Sequence, residues 1–456
     1  MTPERRARSA WLGGVWAAFV LVACLAARPA QPASAFPAQA ARPERPADAL
    51  ASHAASTPVF ATDDSAVATV LLLEDRRLAL MPAVAAVKWQ AHAPIFDPPR
   101  EAAVIRRAAD LGAPMGLDRH SVRALFELQA QLAREVQTRL HQRWSRDGFS
   151  SSAPGLTLAQ LRPHLDELTV GLLQALYIAT PALGEDAFAA RYAAMARQQL
   201  RDGDWTDDGR RELLAELARI RRHPAPALQR IRASGLLLVG MTGDYEPFSL
   251  ESGGRLSGSD VDLAQALASH LGTRAVFIRT TWSSLLEDLA RSRFDLAMGG
   301  VSITPARAQQ GAFSTSYVSG GKTILARCAD ARKYPDLAAV DQPDVRVIVN
   351  PGGTNEAYVR ANIHRARIVV SPDNRAVFGA LDQGSADVMI TDDVEAELQI
   401  RHHRGLCRTY AGTLTQAQKA ILMPRDPGLV AVVNRWLKDE LASGEPARVL
   451  QTYLDR

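Results

Sequence analysis

Between Asp63 and about His223 the apolar positions recur at helical spacing, with Pro and Gly clustered at intervals and little alternation of β-branched residues. Helix starts are predicted at Asp63, at Asp97 before Pro98-Pro99, at Asp118, and at Thr157 after a break from Ser150 to Gly155. Two further helices are predicted over 185–202 and 207–222. From Leu236 the texture changes. A strand over 236–240 is followed by helix 260–270, strand 274–279, helix 282–291 and strand 294–298. The alternation repeats as strand 345–350, helix 354–362, strand 366–370, helix 374–383, strand 387–390 and helix 392–401. Such βαβα order predicts parallel sheet, and its repetition predicts two lobes with a cleft between them. The fold expected is thus an all-α domain over 63–223 followed by an α/β two-lobed domain over 226–456, divided at Pro224-Ala225-Pro226.

The N-terminus departs from both patterns. Arg5, Arg6 and Arg8 precede an apolar run from Trp11 to Ala27, and Ala33-Ser34-Ala35 supplies the small residues a signal peptidase reads. Residues 1–35 therefore read as an export signal cleaved before Phe36. Leu21-Val22-Ala23-Cys24 also has the form of a lipobox, which would end the signal at residue 23 and leave a lipid on Cys24. An uncleaved anchor is a third route. Residues 28 to about 61 are rich in Ala and Pro and carry no period, so 36–62 reads as a disordered linker. The localisation expected is periplasmic, with membrane contact only through the signal or a lipid at Cys24.

Composition narrows the chemistry. The chain has 456 residues, with 53 Lys and Arg against 49 Asp and Glu, a net +4 that gives no electrostatic reason to expect nucleic acid. Three Cys exclude a disulfide-stapled scaffold or a Cys-rich zinc module, and the ten His include no HExxH. No metal and no cofactor are expected. One apolar run is too few for a multi-pass membrane protein. Nothing in the sequence fixes an oligomeric state.

The helical half places cations where a core belongs. Val70, Arg77, Met81, Val84 and Lys88 share one stripe of the first predicted helix, because positions eleven apart differ by only about 20° around it. Gln129 and Gln137 share the apolar stripe of the helix from Asp118. Long stems lying over apolar surface would explain one such cation. Several cations and amides facing one core call for an anionic ligand, since unpaired buried charge is costly.

The run Asp75-Arg76-Arg77-Leu78, Val84 to Trp89, Pro94-Ile95 and Asp97-Pro98-Pro99-Arg100-Glu101 resembles the all-helical chorismate mutases, particularly the exported subclass. Phe126-x-x-Gln129, Gln137, Trp144 and Arg162-x-x-Leu165-Asp166 continue it over roughly 65 to 220. Ala133 departs from it, standing where several members carry a hydroxyl, and no Cys is present for the disulfide some members have. The resemblance implies that Lys88 and Gln137 reach the ether oxygen of chorismate, where charge builds in the transition state. It implies that Arg77, Arg100 and Arg162 hold the two carboxylates and Glu101 the ring hydroxyl. Asp97 would orient Lys88 or the substrate, or cap its helix.

In the second half, Gly258-x-Asp260-Val261-Asp262-Leu263 and Gly300-x-Ser302-x-Thr304-x-x-Arg307 resemble periplasmic amino-acid-binding proteins, although Ser259 stands where an aromatic is usual. Arg307, with Ser302 and Thr304, would grip a carboxylate. Gly353-Thr354 opens a helix and offers an anion site or a plain cap. Thr391-Asp392 lies where such proteins meet a ligand ammonium, or is another cap. Thr242-Gly243-Asp244-Tyr245-x-Pro247-Phe248, Trp282, Gly321-Lys322-Thr323 and the run Asn350 to Glu356 resemble periplasmic cyclohexadienyl dehydratase more narrowly. That family removes water and carbon dioxide from prephenate or arogenate. The resemblance implies that Tyr245, Trp282, Lys322, Thr354 and Asn355 contact substrate. It makes Glu356 the general acid for hydroxide departure, its pKa raised by a substrate carboxylate and an apolar wall. The bland reading of Glu356 is a carboxylate favoured by a helix N-terminus. Cys328 and Cys407 flank most of the second lobe, and an oxidising compartment predicts that they pair, the alternative being two buried thiols.

Product of the first half would be substrate of the second: chorismate to prephenate, then prephenate to phenylpyruvate or arogenate to phenylalanine. Two rivals are a mutase fused to a non-catalytic solute-binding or sensor domain, and a vestigial mutase acting as a spacer.

Overall fold

The computed structural model describes residues 58–151 and 157–456. The export signal, Cys24, most of the linker and residues 152–156 of the break lie outside the described residues. No described helix is long and apolar enough to cross a membrane.

Among the described residues the helical half holds seven helices: α1 (Asp63–Ala79), α2 (Met81–Gln90), α3 (Pro98–Gly112), α4 (Arg119–Asp147), α5 (Leu158–Leu183), α6 (Phe188–Gln199) and α7 (Asp207–Leu217). The starts of α1, α3, α4, α5 and α7 are set by side-chain caps. Thr62 and Ser65 form a capping box on α1, Asp97 accepts from Arg100 N at 3.1 Å, and Asp118 accepts from Ser121 N at 2.8 Å. One expectation fails. The single helix carrying Arg77 and Lys88 is two, broken at Leu80. Pro82 has no N–H to give to the preceding turn, so the ladder lapses there. The angle between Arg77 and Lys88 is therefore set by a turn and not by one straight helix. α1 lies along α5, while α2 and α3 pack on α4. Leu78, Met81, Val84, Leu132, Val136 and Leu161 form the core between them. Each such side chain contributes roughly 1.5–3 kcal/mol when fully buried.

Among the described residues the second half forms two large sheets, one to each lobe, besides a three-stranded sheet over 244–257 and the two-stranded pair of the crossings. The first lobe has strand order 60–61, 274–279, 236–241, 296–297, 422–423, 312–313. Its first four strands are parallel, and 422–423 runs antiparallel to both its neighbours. The second lobe has order 367–370, 346–349, 388–392, 322–327, 406–408. Strand 346–349 is parallel to both neighbours and 322–327 antiparallel to both of its own. The sheets are mixed, not purely parallel as the alternation implied, because the chain crosses between lobes twice. The crossings, Val318–Gly320 and Ala417–Lys419, pair antiparallel with each other. Successive side chains of the second sheet face opposite helical layers: Val347 and Val349 join one core, Ile348 the other.

The strand Phe60–Ala61 corrects the linker expectation at its end. It pairs with Phe277 and Ile278, and Phe60 is buried in the first lobe's core. The helical half is thus tied to that lobe from both sides. Gln174 donates to Ser234 O at 2.6 Å, and Arg222 donates to Ser292 O at 2.6 Å. Arg222 also lies 4.1 Å over the Tyr177 ring, beside a buried ion pair between Arg230 and Asp295.

Candidate active sites

In the helical half, α1, α4 and α5 bring Arg77 to a buried polar cluster. Its Nε donates to Gln129 Oε1 at 3.0 Å, and its Nη1 to Thr169 Oγ1 at 2.7 Å and Leu165 O at 3.1 Å. The guanidinium lies 5.1 Å from the centre of the Phe126 ring. Burial pulls its pKa down, opposed by Glu74. Sequence reasoning missed Glu74, which is 2% exposed and accepts from Gln129 Nε2 at 2.7 Å. Burial lifts its carboxyl to about 7 against the pull of Arg77 and Gln129. The signal was present: Glu74 is three residues before Arg77 and shares its helix face.

Lys88 Nζ donates to Ile95 O at 2.7 Å; burial lowers its pKa, and the charges of Glu101 and Asp97 oppose that shift. Gln137 is buried; its Nε2 donates to Ala133 O at 3.1 Å, and its Oε1 has no partner among the described residues. The remaining expected ligands are elsewhere engaged or outward. Glu101 pairs with Arg134, which no sequence signal had singled out. Asp97 caps α3. Arg100 and Arg162 are exposed, and neither side chain has a partner among the described residues. They stand at the first turns of α3 and α5, where the helix starts put them. A groove of about 550 Å³ lined by Ile95, Phe96, Gln131, Arg134 and Thr138 opens beside Glu101.

The second site lies between the lobes. Tyr245, Trp282, Gly300, Ser302 and Arg307 line it from the first lobe, Asn350, Thr354, Asn355, Asn374 and Asp392 from the second, and Lys419 from a crossing strand. The enclosed space is about 20 Å³, so the lobes are shut and must part to admit a ligand. Asp260 explains the first motif. Its Oδ2 accepts from Gly299 N at 2.7 Å, Gly300 N at 2.8 Å and Tyr317 OH at 2.5 Å, bracing the loop that carries Ser302. Gly300 has φ +73°, and a Cβ there would lie 2.6 Å from the Tyr245 ring. Arg307 donates to Ser302 O at 2.9 Å and sits 5.7 Å over Trp282; burial lowers its pKa, opposed by Asp392. Thr304 does not line the cavity; its hydroxyl caps the helix of Arg307 by accepting from Arg307 N at 3.3 Å.

Asp392 is the hub. Lys322 Nζ donates to Oδ1 at 2.6 Å, Lys419 Nζ to Oδ2 at 2.5 Å, and Tyr245 OH also donates to Oδ2. Burial alone would raise its pKa, but the ammonium groups of Lys419 and Lys322 outweigh that and hold it far below the usual carboxylate range. The expected ammonium acceptor is thus already occupied by the protein's own ammonium groups. Lys322 also donates to Thr354 Oγ1 at 2.9 Å and to Asn355 Oδ1. Behind them Thr391 donates to Glu395, whose carboxyl burial lifts to about 8. Lys419 was missed, although it opens the apolar run Ala420-Ile421-Leu422-Met423, where a Lys needs a reason. Asn350 and Asn374 were also missed. Both are buried, and each has an amide oxygen without a partner among the described residues.

Glu356 differs from its expected setting. Its Oε2 accepts from Gly352 N at 2.7 Å and its Oε1 from Arg360 Nε at 2.8 Å. The Gly352 N–H, with Arg360, holds its pKa below the usual range, and it does not line the cavity. Helix geometry dictates this, because an i,i+4 Arg lies on the same face. Asp244, beside Tyr245, is pushed toward its acid form by burial. Cys328 and Cys407 form a disulfide with Cα atoms 4.8 Å apart. Among the described residues no group of three His, Cys, Asp or Glu is placed to hold a metal ion.

Fold and cleft define a two-lobed solute-binding protein preceded by a mutase-type helical domain. Residues 237–456 match the family of bacterial extracellular solute-binding proteins, family 3, and residues 68–138 match chorismate mutase type II. The chain is 44% identical over 231 residues to cyclohexadienyl dehydratase of Pseudomonas aeruginosa, covering 50% of this chain and 86% of that protein. Through its second half, the chain belongs to the cyclohexadienyl dehydratase family. It is 31% identical over 170 residues to the L-cystine-binding protein TcyJ of Escherichia coli, covering 37% of this chain and 63% of that protein. A solved ancestral amino acid-binding protein, described as a precursor of cyclohexadienyl dehydratase, is 32% identical, covering 50% of this chain and 99% of that one with a TM-score of 0.47.

Proposed function

We propose that this chain is a bifunctional enzyme: a chorismate mutase joined to a cyclohexadienyl dehydratase that consumes the mutase product. The observation that carries the reading is the joint one: a chorismate mutase type II match over 68–138 and a 44% match to a dehydratase over 231 residues of one chain.

In the first reaction the enzyme needs no covalent group, only donors and clamps. Lys88 and Gln137 are proposed to stabilise the ether oxygen, with Gln137 Nε2 leaving Ala133 O. Arg100 and Arg162 are free to close on carboxylates, and Arg77 is fixed beside Phe126 by Gln129 and Thr169. Glu101 meets the ring hydroxyl by exchanging Arg134 for it.

In the second reaction a proton must reach the ring hydroxyl. The C–O bond breaks to release water, the ring carboxylate leaves as carbon dioxide, and its bonding pair completes the aromatic ring. Arg307, Ser302 and the N–H groups at Thr354 and Asn355 are proposed to hold the side-chain carboxylate. Glu356 is the proposed acid, since it follows two cavity-lining residues in the same helical turn. It must take its proton once a substrate anion has displaced the hold of Arg360. Trp282 and Tyr245, 5.7 Å apart edge-on, supply the ring wall.

Export fits the same reading. The chain's relatives include one named as a histidine-binding periplasmic protein, and the Cys328–Cys407 disulfide suits an oxidising compartment. The proposed processing is cleavage before Phe36 or lipidation of Cys24. Incubating the pure full chain with prephenate and reading phenylpyruvate absorbance in alkali tests the second activity. Binding without turnover would leave the second half a solute receptor.

A further inference from the structure

Glu74 lies in the helical half at a position where α1 meets α4 and α5, and the first reaction as described above gives it no task. The side chain beside it, Arg77, is anchored from all three helices. Its Nε–H goes to Gln129 Oε1, and its Nη1 donates to Thr169 Oγ1 and Leu165 O. Nη2 makes no hydrogen bond among the described residues, and Arg77 is partly exposed, so this arm of the fork is left for a ligand carboxylate. Where Nη2 points depends on how firmly the other donors are held. Each side chain that accepts from Arg77 is in turn fixed by a further bond. The Thr169 hydroxyl donates to Leu165 O at 2.7 Å, which turns its lone pairs to the guanidinium. The Gln129 amide could flip, and flipped it would set its NH2 against the Arg77 Nε–H, donor against donor. Glu74 prevents this, because its Oε1 accepts from Gln129 Nε2 at 2.7 Å. Glu74 is 2% exposed and forms no direct ion pair with Arg77 among the described residues, so its link to the guanidinium runs through the amide. A carboxyl keeps an accepting oxygen in both of its protonation states, and the amide is held in either.

We propose that Glu74 is a positioning residue of the mutase: through the Gln129 amide it fixes the guanidinium plane of Arg77 and so aims Nη2 at a carboxylate of chorismate. The inference rests on the mutase reading and adds to it a residue that acts without touching substrate. Burying a carboxyl costs free energy that a Leu at the same helix position would not, and the relay is what that cost supports. Arg100 and Arg162 are exposed, and their side chains have no partner among the described residues, so the ligand itself must order them. Arg77 is then the pre-set point of the clamp. An Arg already in place removes its own ordering from the cost of binding and aligns the substrate for reaction.

The test measures kcat and KM for chorismate on the full chain, with melting temperature as the check on folding. Glu74→Leu removes the acceptor and should lower kcat/KM about 10- to 100-fold, mostly through KM, because a clamp left to swing weakens ground-state and transition-state binding alike. Glu74→Gln can turn its own amide oxygen to Gln129 and should bring kcat/KM back to within about threefold of the parent. In a Gln129→Leu background, Glu74→Leu should cost no more than about twofold, since the relay is already cut. Unchanged KM and kcat in folded Glu74→Leu overturn the proposal. So does a Glu74→Gln variant as impaired as Glu74→Leu, or the full loss repeated in the Gln129→Leu background. Should Glu74→Leu fail to fold, Glu74→Ala, smaller than the residue it replaces, is read by the same criteria. Should the parent leave chorismate unchanged, the mutase reading falls, and calorimetric titration with chorismate still decides the relay. Binding weakened at least about tenfold by Glu74→Leu and kept by Glu74→Gln supports it. Binding unmoved by Glu74→Leu, or absent in the parent, overturns it.

Discussion

Replacing Glu356 by Gln changes one proton and very little shape. The carboxylate accepts from Gly352 N and from Arg360, and the amide oxygen of Gln can keep the first of these. What the fold loses is an i,i+4 ion pair whose Arg is 56% exposed, worth about 0.5 kcal/mol at most. What the reaction loses, on the proposed assignment, is the donor that turns hydroxide into water, typically worth about 10²–10⁴-fold, or roughly 3–5 kcal/mol of barrier. The two magnitudes separate a structural from a catalytic role. Stopped assays on prephenate should show at least a 100-fold fall in kcat with an unchanged melting temperature. Chorismate should still be consumed, so prephenate accumulates. Arg360→Leu is the complementary change. Without the guanidinium the Glu356 carboxyl holds its proton to higher pH, so the alkaline limb of the pH–rate profile should move upward. Near-normal turnover by Glu356→Gln would refute the acid assignment, and Asp244→Asn would then be the variant to measure.

Other outcomes follow from the same geometry. Arg77→Ala or Lys88→Ala should abolish mutase activity and leave prephenate turnover intact, measured on each substrate separately; loss of both in a folded single variant contradicts two independent sites. Arg307→Ala should raise KM as well as lower kcat, because a carboxylate clamp acts in ground and transition states alike. Glu74 has a folded pKa of about 7 against an ordinary value near 4.5, so its neutral form is favoured by folding. The stability it confers is complete below about pH 4.5 and is lost as pH rises through 7. Glu74→Gln should therefore gain melting temperature over the parent at pH 8 and not at pH 4. Reducing Cys328–Cys407, which closes a loop across a sequence separation of 79, should cost roughly 2–5 kcal/mol in denaturant titrations.

The sequence carried the architecture well where local chemistry fixes it. Thr62, Asp97, Asp118 and Thr157 cap helices that begin at or within a residue of the expected positions, because a short polar side chain satisfies free N–H groups wherever the chain enters a helix. Features made by distant residues were not legible. Phe60–Ala61 is a strand only because the 274–279 strand offers it an edge more than 200 residues later. Helical periodicity ran through Leu80, since an apolar stripe does not record a lapse in backbone bonding at Pro82. At the sites, the motifs located Arg307, Thr354, Asn355 and Asp392 at one cleft and Lys322 against Asp392, but not that Lys419 returns from the last crossing to claim Asp392. Glu356 was located by its motif, and its partner Arg360 by no motif, so the direction of its pKa shift came only with the folded helix.

The central claim is that both reactions run in sequence on one polypeptide. The most direct measurement supplies the purified full chain with chorismate alone and resolves the products by chromatography over time. The account predicts that prephenate rises first and then falls as phenylpyruvate accumulates, with no other enzyme added. Chorismate left unchanged, or conversion that halts at prephenate in the native protein, would contradict it.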